Sequence, residues 1–201
     1  MRWTLKYVGD LSRQDAKVLE AFGRNAHSIL EFGCGGSTQI FCQALAPGAR
    51  LVSLETDPLW IARTRHNLEL LRIPEGTCEF LDYPGWQGKC AGRTFDFIFV
   101  DGVDAERDPF ARDAFPLLEV GGWILYHDTR RRRDLRNLME LIMEHHTEVG
   151  EARINFEQTN LSGFRRKLPE PYEDWNAAEG RDSWEVGWCE PPEDWPRHFR
   201  P

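Results

Sequence analysis

The sequence predicts an α/β fold, a doubly wound and mostly parallel sheet, and three observations carry this prediction. Short apolar runs alternate with amphipathic stretches, which is typical of β-α units wound around a parallel sheet. The run FDFIFV (95–100) is apolar on both faces, as a central parallel strand covered by helices must be. The length of 201 residues fits one domain of ordinary size, with a modest excess for an appendage.

The apolar runs give the expected strands, and capping residues give the helices between them. The first helix, Ser12 to Phe22, begins at an N-cap serine, and the second, Ser37 to Ala46, ends at Pro47 and Gly48. The third begins at Asp57, because an N-cap followed by proline is a strong start signal. The candidate strands are SILEF, RLVSLE, TCEFL, FDFIFV and WILYH.

The C-terminal third adds one more helix and the end of the sheet. Leu135, Leu138, Met139 and Ile142 have helical spacing after WILYH. The segments EARINFEQ and LSGFRRKL are expected to form two strands that close the sheet. Residues 1–168 are therefore assigned to one domain.

Residues 169–201 differ in composition and form a candidate appendage. The tail is rich in proline and acidic residues and contains Trp175, Trp184, Trp188 and Trp195. So many tryptophans predict packing on the body of the protein or on a second copy, hence a possible homo-oligomer. A cap over a substrate pocket is the functional alternative.

Composition and charge exclude several function classes. The net charge of −8 disfavours nucleic acid and anionic membranes as partners and favours a small molecule. No apolar segment approaches the ~18 residues of a membrane span, and the first ten residues lack a signal-peptide core, so a cytoplasmic location is expected. Five cysteines without a Cys-x-x-Cys pair suggest reduced thiols rather than a disulfide framework or a zinc site.

The segment SILEFGCGGSTQIF (28–41) places glycines between a strand and a helix, where backbone N–H groups can receive an anion or a polar ligand. A dinucleotide fingerprint would need a third glycine at the position of Thr38, so NAD is disfavoured. Glu31 could accept a bond from an ammonium group, and Glu55, at the end of the next strand, could take two ribose hydroxyls. An amino acid joined to a nucleoside would satisfy both carboxylates.

These residues resemble the first motif of the class I S-adenosylmethionine-dependent methyltransferases, an acidic residue followed by x-Gly-x-Gly-x-Gly. The motif reads EFGCGGS (31–37), with Ser37 at the third glycine position. The resemblance extends in order over residues 12–168 and implies a Rossmann-like fold with S-adenosylmethionine as cofactor. The residues it assigns to the cofactor are Glu31, Gly33, Gly35, Ser37, Glu55 and Asp82.

Within that superfamily, VDG (100–102) and GGWILYHDT (121–129) resemble the small-molecule O-methyltransferase branch. Several of its members hold a divalent cation, which implies Asp101 and Asp128 as ligands of an ion such as Mg²⁺. His127 stands where the catechol-type enzymes have an aspartate, and it would either favour a transition metal or act as a base. The resemblance thus implies Asp101, His127 and Asp128 as catalytic residues.

Each candidate also has a purely structural interpretation. Glu31 could cap its own turn, Glu55 could be a solvated strand end, and Asp82 lies in Asp-Tyr-Pro-Gly, a good turn sequence. His127 could be a satisfied histidine at a strand end. The run Arg130–Arg133 opposes a helix dipole and is either a solvated face or pairs with Asp134, the acidic tail, an anionic substrate or a partner.

The sequence therefore predicts an enzyme that transfers a methyl group from S-adenosylmethionine to a hydroxyl, or less favourably an amine, of a small molecule. An aminopropyltransferase is a competitor of the same fold, since DGVD (101–104) and DPFARDAF (108–115) faintly resemble the polyamine synthases. An NAD(P)-dependent oxidoreductase and a catalytically silent cofactor-binding or scaffold protein are the alternatives from other classes.

Overall fold

A seven-stranded sheet forms the centre of the protein. The computed structural model describes residues 4–6, 9 and 11–168. The strands are Ser28–Phe32 (β1), Arg50–Glu55 (β2), Cys78–Asp82 (β3), Phe95–Val100 (β4), Leu118–Tyr126 (β5), Val149–Arg153 (β6) and Ser162–Arg166 (β7). Their order is β3-β2-β1-β4-β5-β7-β6, in which β7 pairs antiparallel with both β5 and β6 and the other neighbouring strands are parallel. The predicted mostly parallel sheet is confirmed.

In the described part of the chain, six α-helices accompany the strands. They are Arg13–Asn25 (α1), Gly36–Ala44 (α2), Pro58–Leu70 (α3), Trp86–Lys89 (α4), Arg107–Ala114 (α5) and Arg132–Glu144 (α6). Successive side chains of a strand point to opposite faces, and β4 shows this clearly. Phe97 and Phe99 join an apolar core with α1 and α2, whereas Ile98 and Val100 join a second core with α5 and α6. Both faces are covered, which confirms the doubly wound arrangement.

Capping residues fix where the predicted helices begin. The Ser12 hydroxyl accepts from the N–H of Asp15, and the Asp15 carboxylate accepts from the N–H of Ser12, so α1 opens on a capping box. Asp57 caps α3 with Pro58 in the first turn, as predicted. The first two helices differ from the prediction only at their ends.

Of the last two predicted strands, LSGFRRKL contains β7, but EARINFEQ is strand only up to Arg153, since β6 begins earlier at Val149 and Phe156–Gln158 form a 3-10 helix. Strands β6 and β7 make an antiparallel edge beside β5, in which Ile124 lies opposite Phe164. Helix α4 was not predicted from the sequence. It is one short turn whose Trp86 is fully buried, too short for a hydrophobic period to reveal.

The chain order reverses at β1, which has β2 on one side and β4 on the other. In such sheets, ligands bind in the crevice at the carboxyl ends of the strands beside the reversal. The loops after β1 and β4 meet there. A Cβ on Gly33 would lie 2.4 Å from the backbone nitrogen of Gly102, so only glycine permits this approach.

The chain divides into two units, Met1–Leu168 and Pro169–Pro201. The predicted role of the tail tryptophans falls outside the described residues. No helix among the described residues is long and apolar enough to cross a membrane.

Candidate active site

A cavity of about 510 Å³ opens at the carboxyl ends of the parallel strands. Its wall comes from the loops after β1, β2 and β4, through residues 33–37, 55–57 and 101–104. His127, directly after β5, completes that edge, and Leu11 contributes from the segment before α1. Four strand ends and the entry to α1 therefore form one concave site.

The glycine loop forms one side of this cavity. Gly33, Gly35 and Ser37, all predicted cofactor residues, line it. Gly33 has φ +88°, a conformation that favours glycine. The N–H of Gly35 donates to the Thr38 hydroxyl at 2.8 Å, and this bond fixes the start of α2. The loop thus presents its backbone to the cavity at a helix N-terminus.

Glu55 lies opposite the glycine loop and is held in place by backbone N–H groups. Its Oε1 accepts from the N–H groups of Thr56 at 2.7 Å and Asp57 at 3.0 Å. Its Oε2 accepts from the N–H of Cys34 at 3.2 Å. The carboxylate therefore joins the end of β2 to the glycine loop while lining the cavity.

Glu31 lies beneath the loop rather than in the cavity wall. It is fully buried, and its Oε2 accepts from the hydroxyls of Thr38 and Ser53, each at 2.6 Å. Burial raises the pKa of Glu31 to about 7, although hydrogen bonds from Ser37, Ser53 and Thr38 lower it. Its Oε1 has no hydrogen-bond partner among the described residues. Thr38 links this buried carboxyl to Gly35.

Asp82 lies at the end of β3, opposite Glu55 in the register of the two strands. Its side chain is exposed and is not part of the cavity wall. The structure thus places Asp82 beside the site, while Gly33, Gly35, Ser37 and Glu55 meet in it.

The three predicted catalytic residues come together. One ligand atom from each of Asp101, His127 and Asp128 lies within 4.8 Å of the others. His127 Nδ1 is 3.3 Å from Asp101 Oδ2 and 3.7 Å from Asp128 Oδ1. Asp101 and His127 line the cavity, whereas Asp128 lies behind them with φ +60°.

His127 is buried between carboxylates. Its Nε2 lies 4.0 Å from Asp15 Oδ2, on the side away from Asp101. Burial alone lowers the pKa of His127, but contact with Asp101 and the negative charges of Asp128 and Asp15 outweigh it, so the pKa is raised. Neither ring nitrogen has an aligned hydrogen-bond partner among the described residues. Both ring nitrogens are thus buried, with Nδ1 facing Asp101 and Asp128 and Nε2 facing Asp15.

Arg107 is a member of the site that sequence reasoning missed. Its guanidinium lies 2.6 Å from Asp101 Oδ1, 3.0 Å from Asp128 Oδ2 and 3.4 Å from Asp134 Oδ1. The side chain is only 4% exposed. In the sequence it is one charge among many in ERDPFARD, where nothing distinguishes a buried arginine from a solvated one.

The run after β5 supplies two further arginines. Arg131 lies 2.6 Å from Asp128 Oδ2 and 3.1 Å from Asp104 Oδ1. Arg133 lies 2.9 Å from Asp104 and 3.7 Å from Asp134. Of the alternatives for this run, pairing with carboxylates accounts for these two members.

The predicted cation site does not fit a divalent ion in this arrangement. Asp128 Oδ1 accepts from the side-chain amide of Asn160 at 2.8 Å, and Oδ2 contacts the guanidinium groups of Arg107 and Arg131. Asp101 Oδ1 is also held by Arg107. An ion at these oxygens would have to displace or adjoin a buried guanidinium, which Coulomb repulsion opposes.

Comparisons with known proteins agree with this geometry. Residues 30–129, which run from the glycine loop to the arginine run, match the family model described as "Methyltransferase domain". No curated protein matches the chain.

Three solved structures illustrate the similarity. An O-methyltransferase from Bacillus cereus in complex with SAH is 21% identical, with a TM-score of 0.64 over 78% of this chain and 83% of that one. The O-methyltransferase TomG from Streptomyces achromogenes, in complex with SAM, is 16% identical, with a TM-score of 0.62 over 79% and 81%. A SAH-bound methyltransferase from Podospora anserina is 20% identical, with a TM-score of 0.61 over 78% and 79%.

At these identities the structures establish a common fold, and the family match covers the loops that build the cavity. Residues 30–129 thus match a methyltransferase domain, and the described residues share the fold of solved O-methyltransferases.

Proposed function

We propose that the protein transfers a methyl group from S-adenosylmethionine to a hydroxyl of a small molecule. The observation that carries this proposal is a single cavity that holds the glycine loop and Glu55 together with the Asp101–His127 pair. The glycine loop and Glu55 suit a nucleoside joined to an amino acid, and the Asp101–His127 pair suits removal of a proton. The O-methyltransferases of the same fold support a hydroxyl acceptor.

The cofactor would bind along the glycine loop. Backbone groups of Gly33 and Gly35, with Ser37, face the cavity, and Glu55 is placed to accept from two ribose hydroxyls. Asp82, at the end of the neighbouring strand β3, would contact the adenine. Glu31 supports the loop from below through Thr38, as a buried carboxyl outside the cavity wall, so its contribution to cofactor binding would be indirect.

The electrostatics of the cavity also suit this cofactor. Its wall includes more carboxylates than cationic groups, which favours a sulfonium ion over an anionic ligand. The acidic members are Glu55, Asp57, Asp101 and Asp104. NAD, with its pyrophosphate, would meet repulsion there.

The reaction would be an in-line displacement at the sulfonium methyl group. The acceptor oxygen forms a bond to the methyl carbon, the carbon–sulfur bond breaks, and its electron pair stays on sulfur to give S-adenosylhomocysteine. His127 takes the hydroxyl proton as general base, because its ring nitrogens are buried, unpaired and beside the cavity. Asp101 orients the imidazole and stabilises the imidazolium. Positioning of the two reactants supplies the rest of the rate.

Calorimetry with S-adenosylhomocysteine tests the proposal. The wild type should bind S-adenosylhomocysteine and not NAD. Glu55→Gln removes the charge that would accept from the ribose and should weaken binding by roughly 1.5–3 kcal/mol for each bond lost. Glu75→Gln, a change at an exposed position outside the cavity wall, is the matched control and should bind like the wild type.

Three results would count against the proposal. If Glu55→Gln bound S-adenosylhomocysteine with unchanged affinity, Glu55 would not contact the ribose. Tighter binding of NAD than of S-adenosylhomocysteine would favour an oxidoreductase, and cofactor binding without turnover of any hydroxyl compound would favour a silent cofactor-binding protein.

A further inference from the structure

A dense cluster of charges surrounds Arg107, and it is larger than the predicted catalytic set. Asp134 is fully buried and Asp128 nearly so, whereas Asp104 is half exposed. Buried carboxylates are stable only when paired with positive charge or coordinated to a metal. The cluster consists of the carboxylates Asp101, Asp104, Asp128 and Asp134 and the guanidinium groups of Arg107, Arg131 and Arg133.

The guanidinium of Arg107 lies between the two carboxylates predicted as metal ligands. One terminal nitrogen, Nη2, contacts Asp101, and the other, Nη1, contacts Asp128. Nη2 also donates to the carbonyl of Gly102 at 3.2 Å, which holds the group against the loop after β4. A planar donor fork therefore links the two carboxylates through Asp101 Oδ1 and Asp128 Oδ2, whereas their other oxygens, Asp101 Oδ2 and Asp128 Oδ1, lie nearest His127 Nδ1. An ion between those oxygens and His127 would lie beside a buried guanidinium, which Coulomb repulsion opposes.

The charge balance also favours this arrangement. With His127 neutral, the cluster carries four negative and three positive charges, so its guanidinium groups already offset most of the carboxylate charge. A divalent ion added to the same cluster would lie beside these cations in a largely buried place.

We propose that Arg107 takes the place of a divalent cation in this methyltransferase, as a positioning residue that holds Asp101 and Asp128 and supplies the positive charge. This inference rests on the proposed function, in which His127 then acts as base without a metal ion. Removing the guanidinium should convert the cluster into a metal site, since carboxylates and an imidazole within 4.8 Å of one another would lose their internal cation.

Titration with Mn²⁺, followed by calorimetry and by the loss of the paramagnetic signal of hydrated Mn²⁺, tests this. The wild type should take up no Mn²⁺ at this cluster. Arg107→Ala should bind one equivalent, with affinity raised by about tenfold or more over the wild type. The double variant Arg107→Ala/Asp101→Asn should lose the gain. Arg107→Lys, which keeps a positive charge, should remain like the wild type.

Arg112→Ala is the matched control, because Arg112 lies on the same helix but pairs with Asp108 and Glu144 outside the cluster. It should bind no more Mn²⁺ than the wild type. Arg107→Gln, which retains polar contacts, replaces Arg107→Ala if circular dichroism shows that variant unfolded.

The inference is overturned if the wild type binds Mn²⁺ in a manner that Asp101→Asn abolishes, or if a folded Arg107 variant gains no binding. The wild-type titration decides the first point even if every Arg107 variant is unfolded. These titrations need neither cofactor nor acceptor. Their failure would leave S-adenosylhomocysteine binding intact, whereas failure of the proposed function would appear as loss of that binding.

Discussion

His127 determines the pH dependence of the proposed reaction. Its imidazole lies beside Asp101 and near Asp128 and Asp15, so the protonated form persists to higher pH than in an ordinary histidine. Only the neutral form accepts a proton. The base is therefore inactive at low pH and becomes active as pH rises through its raised pKa.

The rate of methyl transfer should accordingly rise with pH, with a midpoint above 6.5, the ordinary pKa of histidine. His127→Ala should lower kcat by roughly 10²–10⁴ while S-adenosylhomocysteine still binds, and EDTA should leave the wild-type rate unchanged. His66→Ala, a change at an exposed position on α3, is the control. A rate that is independent of pH, or full activity in His127→Ala, would refute the assignment.

Glu31 couples stability to pH in the unliganded protein. Because burial raises its pKa from 4.5 to about 7, the folded state binds the proton more tightly than the unfolded state. The stabilising contribution of this proton is fully present below pH 4.5 and is lost as pH rises through about 7. The loss amounts to about 1.4 kcal/mol for each pH unit of that interval.

Urea unfolding of wild type and Glu31→Gln at pH 5 and pH 8 measures this coupling. Glutamine cannot ionise, so the stability of the variant relative to the wild type should increase by about 3 kcal/mol between the two pH values. Glu75→Gln should follow the wild type. Parallel pH profiles for wild type and Glu31→Gln would show that Glu31 is not buried as a neutral acid.

Single residues also show where the sequence is informative. Gly33, Gly35, Ser37 and Glu55 line the cavity as their spacing along a strand, turn and helix predicts. Arg107 could not be found in this way, because its counter-charges come from separate loops and no local pattern brings them together. The assignments of ligand and catalytic roles stay predictions until the variants are measured.

At the scale of elements, the loops after β1 and β4 depend on each other. Gly33 and Gly48 have nearly equal φ values, +88° and +89°, but only at Gly33 does a Cβ meet backbone, whereas the space around Gly48 is empty within 4 Å. Alanine substitutions at these two glycines therefore separate two contributions to stability. One is the free-energy cost of a left-handed backbone conformation, and the other is the cost of disturbing the packing between the loops.

Gly48→Ala should lose about 1–2 kcal/mol, the cost of a left-handed conformation with a Cβ. Gly33→Ala should lose distinctly more and should bind S-adenosylhomocysteine less tightly, because the Gly102 backbone must move. Urea unfolding and calorimetry of both variants measure the difference. Equal losses, with cofactor affinity retained in both, would show that the loops do not pack as described.

Elements with a local signal were predicted well. Ser12 and Asp57 mark the starts of α1 and α3 because a cap is a contact between near neighbours. The end of α1 at Asn25 and the short helix α4 were not predicted, since tertiary packing rather than local chemistry sets them.

At the scale of the whole molecule, the alternation of apolar runs and helices was sufficient to predict the doubly wound sheet. Parallel strands buried on both faces have few other arrangements once right-handed crossovers are required. The strand order then places the carboxyl ends of β1, β4 and β5 together. The charge cluster did not follow from that pattern, because it depends on contacts between side chains of two separate stretches, 101–107 and 128–134.

Asn160 makes two contacts that can form only late in the synthesis of the chain. Its backbone N–H donates to Asp15 at 2.8 Å across 145 residues, and its side-chain amide donates to Asp128 at 2.8 Å. During synthesis from the N-terminus, these two contacts must wait for the hairpin of β6 and β7, long after Asp15 and Asp128 have been made. A nascent chain therefore completes its reaction centre only once this hairpin has emerged.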